Sequence, residues 1–359
     1  MPQSPLNKRI STWLKARFGR ATPEVVPRTR GATTHVIILD GTMSTLAAGR
    51  ETNAGLSYKL LSKLGGDVSV YYEHGLQWSH WRRAGDVLMG RGINRQIRRA
   101  YGYLASRYRP GDRIFLMGFS RGAFAVRSLA GVIDMVGLLR NDQATERRIR
   151  DAYRHYKSAP KSEAAQAFKA AYCHDEVGIE MVGVWDTVKS LGITAPILWR
   201  LSVAKHAFHS HALGPSIKNG YHALARNETR VAYSPVMWET DPNWTGHMEQ
   251  MWFRGAHGDE GGMLGGAQES RPLSNIPLVW MLEKTAHHGL PLPQNWQDQF
   301  PQDPRAPARG TWSGYARVFI TRKRRPVGLD PSERVHPSIA QAPKSEPRKW
   351  LSWSRQSAN

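Results

Sequence analysis

The chain has 359 residues, 40% of them hydrophobic, which is enough to bury one large α/β core, and its single cysteine, Cys173, rules out an internal disulfide. No segment approaches the roughly eighteen apolar residues of a membrane helix, and residues 1–30 show no apolar run with a small-residue cleavage pattern, so the expected product is cytoplasmic as synthesised, without signal peptide or transmembrane segment. The net charge of +21 gathers at the ends: residues 1–30 carry seven Lys/Arg against one Glu, and residues 321–359 carry nine against three acids, a net of +6 each.

In chain order, residues 1–30 read as a basic N-terminal extension. Within it Ile10, Trp13, Leu14 and Phe18 recur at helical spacing among cations, the pattern of a short interfacial helix or of a segment docked on its own domain. The first strand is predicted over Thr34–Leu39 and runs into Asp40-Gly41-Thr42, a tight loop at a strand end. A helix over Ala54–Leu64 presents Leu56, Leu60, Leu61 and Leu64 on one face, and a second strand follows at Val68–Tyr72, a spacing that suits a parallel crossover. Ile93, Ile97, Ala100, Tyr101, Leu104 and Tyr108 mark another helix; Pro110-Gly111 ends it before an apolar strand at Asp112–Met117. Strands alternating with helices predict a doubly wound, mostly parallel sheet, with sites outside the carboxyl ends of its strands.

That third strand leads into Gly118-Phe119-Ser120-Arg121-Gly122, followed by a buried-looking helix from Ala123. A Gly-x-Ser-x-Gly between strand and helix is the pattern of a nucleophile elbow, where Gly118 and Gly122 supply the space a sharp, strained turn needs. Thr145–Tyr172 reads as charged amphipathic helix broken near Pro160, a helical insertion placed at 144–175. Val177–Trp185 is the next strand, and Asp186-Thr187 at its end puts an acid where the order Ser, acid, His requires it; a turn or helix cap is the other role open to this aspartate. Residues 193–227 are read as a second helical insertion or lid. Its His206, His209 and His211 have no carboxylate or cysteine at ligand spacing, so no metal and no cofactor are expected.

Of fourteen histidines, His257 has the best placement: it follows the strand-like Gln250–Arg254 and sits in the small-residue loop Gly255-Ala256-His257-Gly258-Asp259-Glu260-Gly261-Gly262. Ser120, Asp186 and His257 then form the candidate triad, with Asp259 as the rival acid two residues beyond the histidine. The backbone N–H of Arg121, and that of Gly41 or Thr42, are the expected oxyanion donors. Residues 31–320 are read as the catalytic domain and 321–359 as a basic C-terminal tail.

Leu39-Asp40-Gly41-Thr42, the stretch from Gly92 through Gly118-Phe119-Ser120-Arg121-Gly122-Ala123, Gly183–Val188, Tyr221–Ala225, Trp252–Gly262 and Val335-His336-Pro337-Ser338 together resemble one bacterial family. It is the α/β-hydrolase domain family, formerly a domain of unknown function, that includes the type VI secretion phospholipase effectors of the first lipase class. Met43-Ser44 stands where the family usually has Trp-Asn, and Asn227 where it usually has Asp. The resemblance implies an α/β-hydrolase-like fold, a serine esterase or lipase of phospholipase type, a lipid or other acyl-ester substrate, and export by a type VI system. The basic termini suit contact with an anionic membrane, and no zinc-knuckle, RNA-recognition or helix-turn-helix signature points to sequence-specific nucleic-acid binding. The alternative is a retired hydrolase scaffold that binds polyanions or a partner through its charge.

Overall fold

The structure, a computed structural model, describes residues 31–75, 91–188, 212–311 and 321–343. Seven parallel strands form one sheet in the order β2-β1-β3-β4-β5-β6-β7. They are β1 (Thr34–Leu39), β2 (Val68–Glu73), β3 (Arg113–Phe119), β4 (Met181–Trp185), β5 (Asn219–Ala225), β6 (His247–Phe253) and β7 (Glu333–Val335). The helices are α1 (Asn53–Leu61), α2 (Arg91–Ala105), α3 (Arg121–Val136), α4 (Glu146–Ser158), α5 (Glu163–Tyr172), α6 (His257–Gly261) and α7 (Arg271–His287).

Both faces of the sheet are covered, which explains why its central strands are apolar at nearly every position. Along β1 the side chains divide by the two-residue period. Ile37 and Leu39 join a core with Ile97, Tyr101 and Leu104 of α2 and Val126 and Leu129 of α3, while Val36 and Ile38 join a second core with Leu60 and Leu61 of α1 and Leu278 and Met281 of α7. β4 divides likewise, with Val182 and Val184 on the first face and Met181 and Trp185 on the second. The result is an α/β-hydrolase-like, doubly wound parallel sheet, and the described residues from Ala32 onward fall in one compact unit.

Three expectations need correction. Residues 219–225, placed inside a helical insertion at 193–227, are strand β5 in the interior of the sheet; Gly220, His222 and the small Ala223 and Ala225 hide its strand character. Residues 189–211, which include Trp199, Phe208 and the clustered histidines, lie outside the described residues, as do 1–30 and 344–359. The boundary at 320 also fails, because β7 continues the sheet beyond β6 and lies in the supposed tail. Two of its three residues are charged, so no apolar run betrays it. It is anchored by Glu333, whose carboxylate accepts from Trp252 Nε1 at 2.6 Å and from the N–H groups of Gly328, Leu329 and Asp330 at 2.8–2.9 Å. Finally, the fourth strand begins at Met181 and not at Val177; Ile179 makes only an isolated bridge to Ile217.

Candidate active site

Ser120 sits between the end of β3 and the first turn of α3 with φ 58° and ψ −118°, a conformation unfavourable for any side-chain-bearing residue. The turn is held by the N–H of Ser120, which donates to Trp185 O at 3.0 Å, and by two glycines that cannot be replaced. A Cβ on Gly122 would lie 2.0 Å from the carbonyl oxygen of Leu39 in β1, and one on Gly118 would lie 2.7 Å from Gly122 O. The close approach of α3 to β1 is therefore what the elbow glycines make room for.

Asp186 follows β4 and His257 opens α6 after β6, so the parallel sheet delivers all three side chains to the same strand ends. Ser120 Oγ lies 2.9 Å from His257 Nε2, and His257 Nδ1 lies 2.6 Å from Asp186 Oδ2. All three residues are buried. The imidazole is held between two rings, stacked on Phe119 at 4.8 Å and edge-on to Tyr233 at 4.8 Å. Gly261 is required for this, since a Cβ there would enter the Phe119 ring.

The rival acid is engaged elsewhere. The Asp259 carboxylate accepts from the N–H groups of Ala256 (2.8 Å), Arg309 (2.8 Å) and Gly310 (3.3 Å), so it caps α6 and ties the chain near residue 310 to it. In the loop after β1, Asp40 is buried and accepts from Thr52 Oγ1 (2.6 Å), Tyr72 Oη (2.8 Å) and the N–H of Gly41 (2.6 Å). Burial still holds its carboxyl above the usual range. Because the Gly41 N–H is committed to Asp40, the expected donor pair narrows to the N–H groups of Thr42 and Arg121, neither of which bonds another described residue. Met43, next to Thr42, has φ 63° and is exposed.

Sequence reasoning missed Arg325. Its guanidinium donates to both oxygens of Asp186, Nη1 to Oδ1 at 2.5 Å and Nη2 to Oδ2 at 2.9 Å, and also to Ala225 O at 2.8 Å. Burial alone would raise the Asp186 carboxyl, but the charge of Arg325, and then the hydrogen bond from His257, outweigh it and hold Asp186 far below the usual carboxylate range. Nothing in Arg322-Lys323-Arg324-Arg325 marks one of four cations as the buried one. A second buried pair, Glu228 with Arg230, closes behind the histidine: Arg230 Nη2 donates to Glu228 Oε2 at 2.6 Å, and the N–H of His257 donates to the same oxygen at 3.2 Å. Glu260, three residues after His257, is buried with both oxygens lacking a hydrogen-bond partner, and burial, then the charge of Asp186, pushes its carboxyl well above the usual range.

The fold and the hydrogen-bonded array at its strand ends define a protein of the α/β-hydrolase type. The family model for the type VI secretion phospholipase effector Tle1-like catalytic domain matches residues 33–284, and the chain belongs to that family. It is 33% identical over 168 residues to the uncharacterized protein YEL023C of Saccharomyces cerevisiae, a match covering 43% of this chain and 24% of the yeast protein, so the chain spans about a quarter of that relative. Among solved structures it is similar to an uncharacterized protein from Pseudomonas aeruginosa (16% identity, TM-score 0.43, 84% of this chain and 52% of the other). It is also similar to a Tle1 effector bound to the VgrG spike of a type 6 secretion system (17% identity, TM-score 0.32, 65% and 51%). Among the described residues, no helix is long and apolar enough to cross a membrane.

Proposed function

We propose that this chain is a serine esterase of phospholipase type that cleaves acyl esters through an acyl-enzyme, with Ser120 as nucleophile, His257 as general base and acid, and Asp186 as its orienting acid. The observation that carries this reading is the continuous array from Ser120 Oγ through His257 to Asp186, at 2.9 and 2.6 Å, on an elbow with positive φ. His257 takes the serine proton as Oγ attacks the ester carbonyl, and then returns it to the leaving alcohol. Asp186 fixes the imidazole and stabilises its cation, while Arg325 keeps that carboxylate ionised. The oxyanion is received by the N–H groups of Arg121 and Thr42, each donor of this kind being worth about 10²–10³ in rate. Membership of a phospholipase effector family supports a lipid substrate, and a type VI export route comes with the same reading.

The test compares wild type with Ser120→Ala for release of fatty acid from phospholipid vesicles and for hydrolysis of a soluble short-chain ester. Wild-type turnover of both, lost by about 10³-fold or more in the variant, is the expected result. Equal turnover by the two proteins would remove Ser120 as the nucleophile, and absence of turnover by both would leave the retired-scaffold reading.

A further inference from the structure

Residues 321–325 lie beyond the stretch 33–284 that the family model matches, yet they close the candidate site. Their backbone runs beside the chain after β5: the N–H of Val231 donates to Thr321 O at 3.1 Å, and that of Lys323 donates to Thr229 O at 2.7 Å. Lys323 and Arg324 are exposed, whereas the side chain of Arg325 is only 5% exposed. Its guanidinium joins segments that reach the strand ends separately. It binds both oxygens of Asp186 after β4, Ala225 O at the end of β5, and Tyr233 O in the segment that follows β5.

Two of these contacts bear on His257. The fork fixes the rotation of the Asp186 carboxylate: Oδ1 is taken by Arg325 Nη1 and by the N–H of Ala225 at 3.2 Å, so Oδ2 is the oxygen presented to His257 Nδ1. Tyr233 bounds the imidazole edge-on at 4.8 Å, and the guanidinium of Arg230 lies 3.8 Å from the centre of the same ring. Arg230 is bound by Glu228, which accepts the N–H of His257. The partners of the histidine thus form a circuit in which Arg325 links the acid to Tyr233. A point charge would neutralise a buried acid as well; a planar fork on both oxygens also sets its orientation.

We infer that Arg325 is a positioning residue of the proposed hydrolysis, acting through Asp186 and Tyr233 to keep His257 Nε2 aimed at Ser120 Oγ. The inference rests on the serine-esterase reading for the reaction, and it makes the segment 321–325 part of the catalytic unit. The cost of losing the fork falls on kcat, because a misdirected imidazole slows proton transfer and leaves the ester's binding contacts in place.

The experiment measures kcat and KM on a soluble short-chain ester, with the full chain, for wild type, Ser120→Ala, Arg325→Gln, Arg325→Lys and the exposed neighbour Arg324→Gln. Circular dichroism establishes at the assay temperature that each variant is folded. Arg325→Gln is expected to lower kcat about 10²-fold with KM changed less than about threefold, the size of effect that a misplacement of about 1 Å produces. Arg325→Lys restores the charge without the fork, and is expected to recover part of that loss while staying about tenfold below wild type. Arg324→Gln is expected to stay within about threefold of wild type. Should Arg325→Gln fail to fold, the folded Arg325→Lys carries the test. The inference alone is overturned if Ser120→Ala is inactive while Arg325→Gln or Arg325→Lys keeps the wild-type kcat, if the loss falls on KM, or if Arg324→Gln loses as much. Equal turnover by wild type and Ser120→Ala, or none by either, overturns the esterase reading and the inference with it.

Discussion

Two aspartates near one histidine have different work, and their partners tell them apart. Asp186 Oδ2 faces His257 Nδ1 at 2.6 Å, whereas Asp259 satisfies three backbone N–H groups. Asp186→Asn is expected to lower kcat about 10⁴-fold on a soluble ester. Asp259→Asn is expected to cost about 1–3 kcal/mol of stability, read by denaturant unfolding, and to leave Ser120, His257 and Asp186 in register. The opposite pattern of rates would exchange their assignments. Glu260 is a different case, a buried carboxyl with no partner. A carboxyl whose folded pKa is raised stabilises fully below its unfolded pKa of about 4.3, and the contribution is lost as pH rises towards the folded value. Glu260→Gln should therefore melt higher than wild type, by a margin that widens from pH 5 to pH 8; a margin independent of pH would mean that Glu260 does not titrate.

Elements meet where side chains are absent. The first turn of α3 rests on the end of β1 because Gly122 has no Cβ to strike Leu39 O, and this contact aligns the elbow with the Thr42 loop. Gly122→Ala is expected to cost about 3 kcal/mol or more, and to lower activity in any folded fraction, since backbone and not a flexible side chain must move. Gly178→Ala is the control, because the nearest atom to its Cβ would be Lys218 Cε at 3.6 Å, and it should unfold within about 1 kcal/mol of wild type. The strands also explain which elements were legible. β1, β3 and the helices α2 and α3 announce themselves by apolar runs or a 3.6-residue period, because each is covered by a core on at least one face. β5 and β7 do not. The first is built largely of small or polar residues held between neighbours already in place, and the second is a three-residue edge whose backbone pairing with β6 is reinforced by the side chain of Glu333.

At the scale of the whole molecule, acid stability follows from the buried groups the sheet encloses. His222 of β5 accepts from the N–H of Thr187 at 3.1 Å, and burial, then the charge of Arg127, pushes its pKa down to about 3. A histidine depressed in the folded state binds more protons when unfolded, so stability is full above its unfolded pKa of about 6.5 and falls as pH drops towards 3. Asp186, held far lower, keeps its contribution until the pH falls below about 4. Over the same range the Glu260 proton acts in the opposite sense in wild type, so the difference between proteins is what is read: the stability of His222→Gln relative to wild type is expected to rise by close to one proton's slope as pH falls from about 6.5 to about 4.5, and a difference independent of pH would remove His222 as a source.

By itself the sequence set out the candidate residues in order along the chain: a serine in a Gly-x-Ser-x-Gly after an apolar strand, an acid after the next, a histidine in a glycine-rich loop, with glycines where backbones must touch. Those signals are local, fixed by strand period and by the steric demand of a turn. Only the tertiary structure decided which acid meets His257, which N–H groups of the loop after β1 stay open, and that Arg325, 139 residues beyond Asp186, binds both oxygens of its carboxylate. The physical reason is that a cation is chosen by burial and geometry. Four basic residues in a row carry the same charge, and the pairing of their segment with residues 229–231 leaves one of them turned inward to the acid.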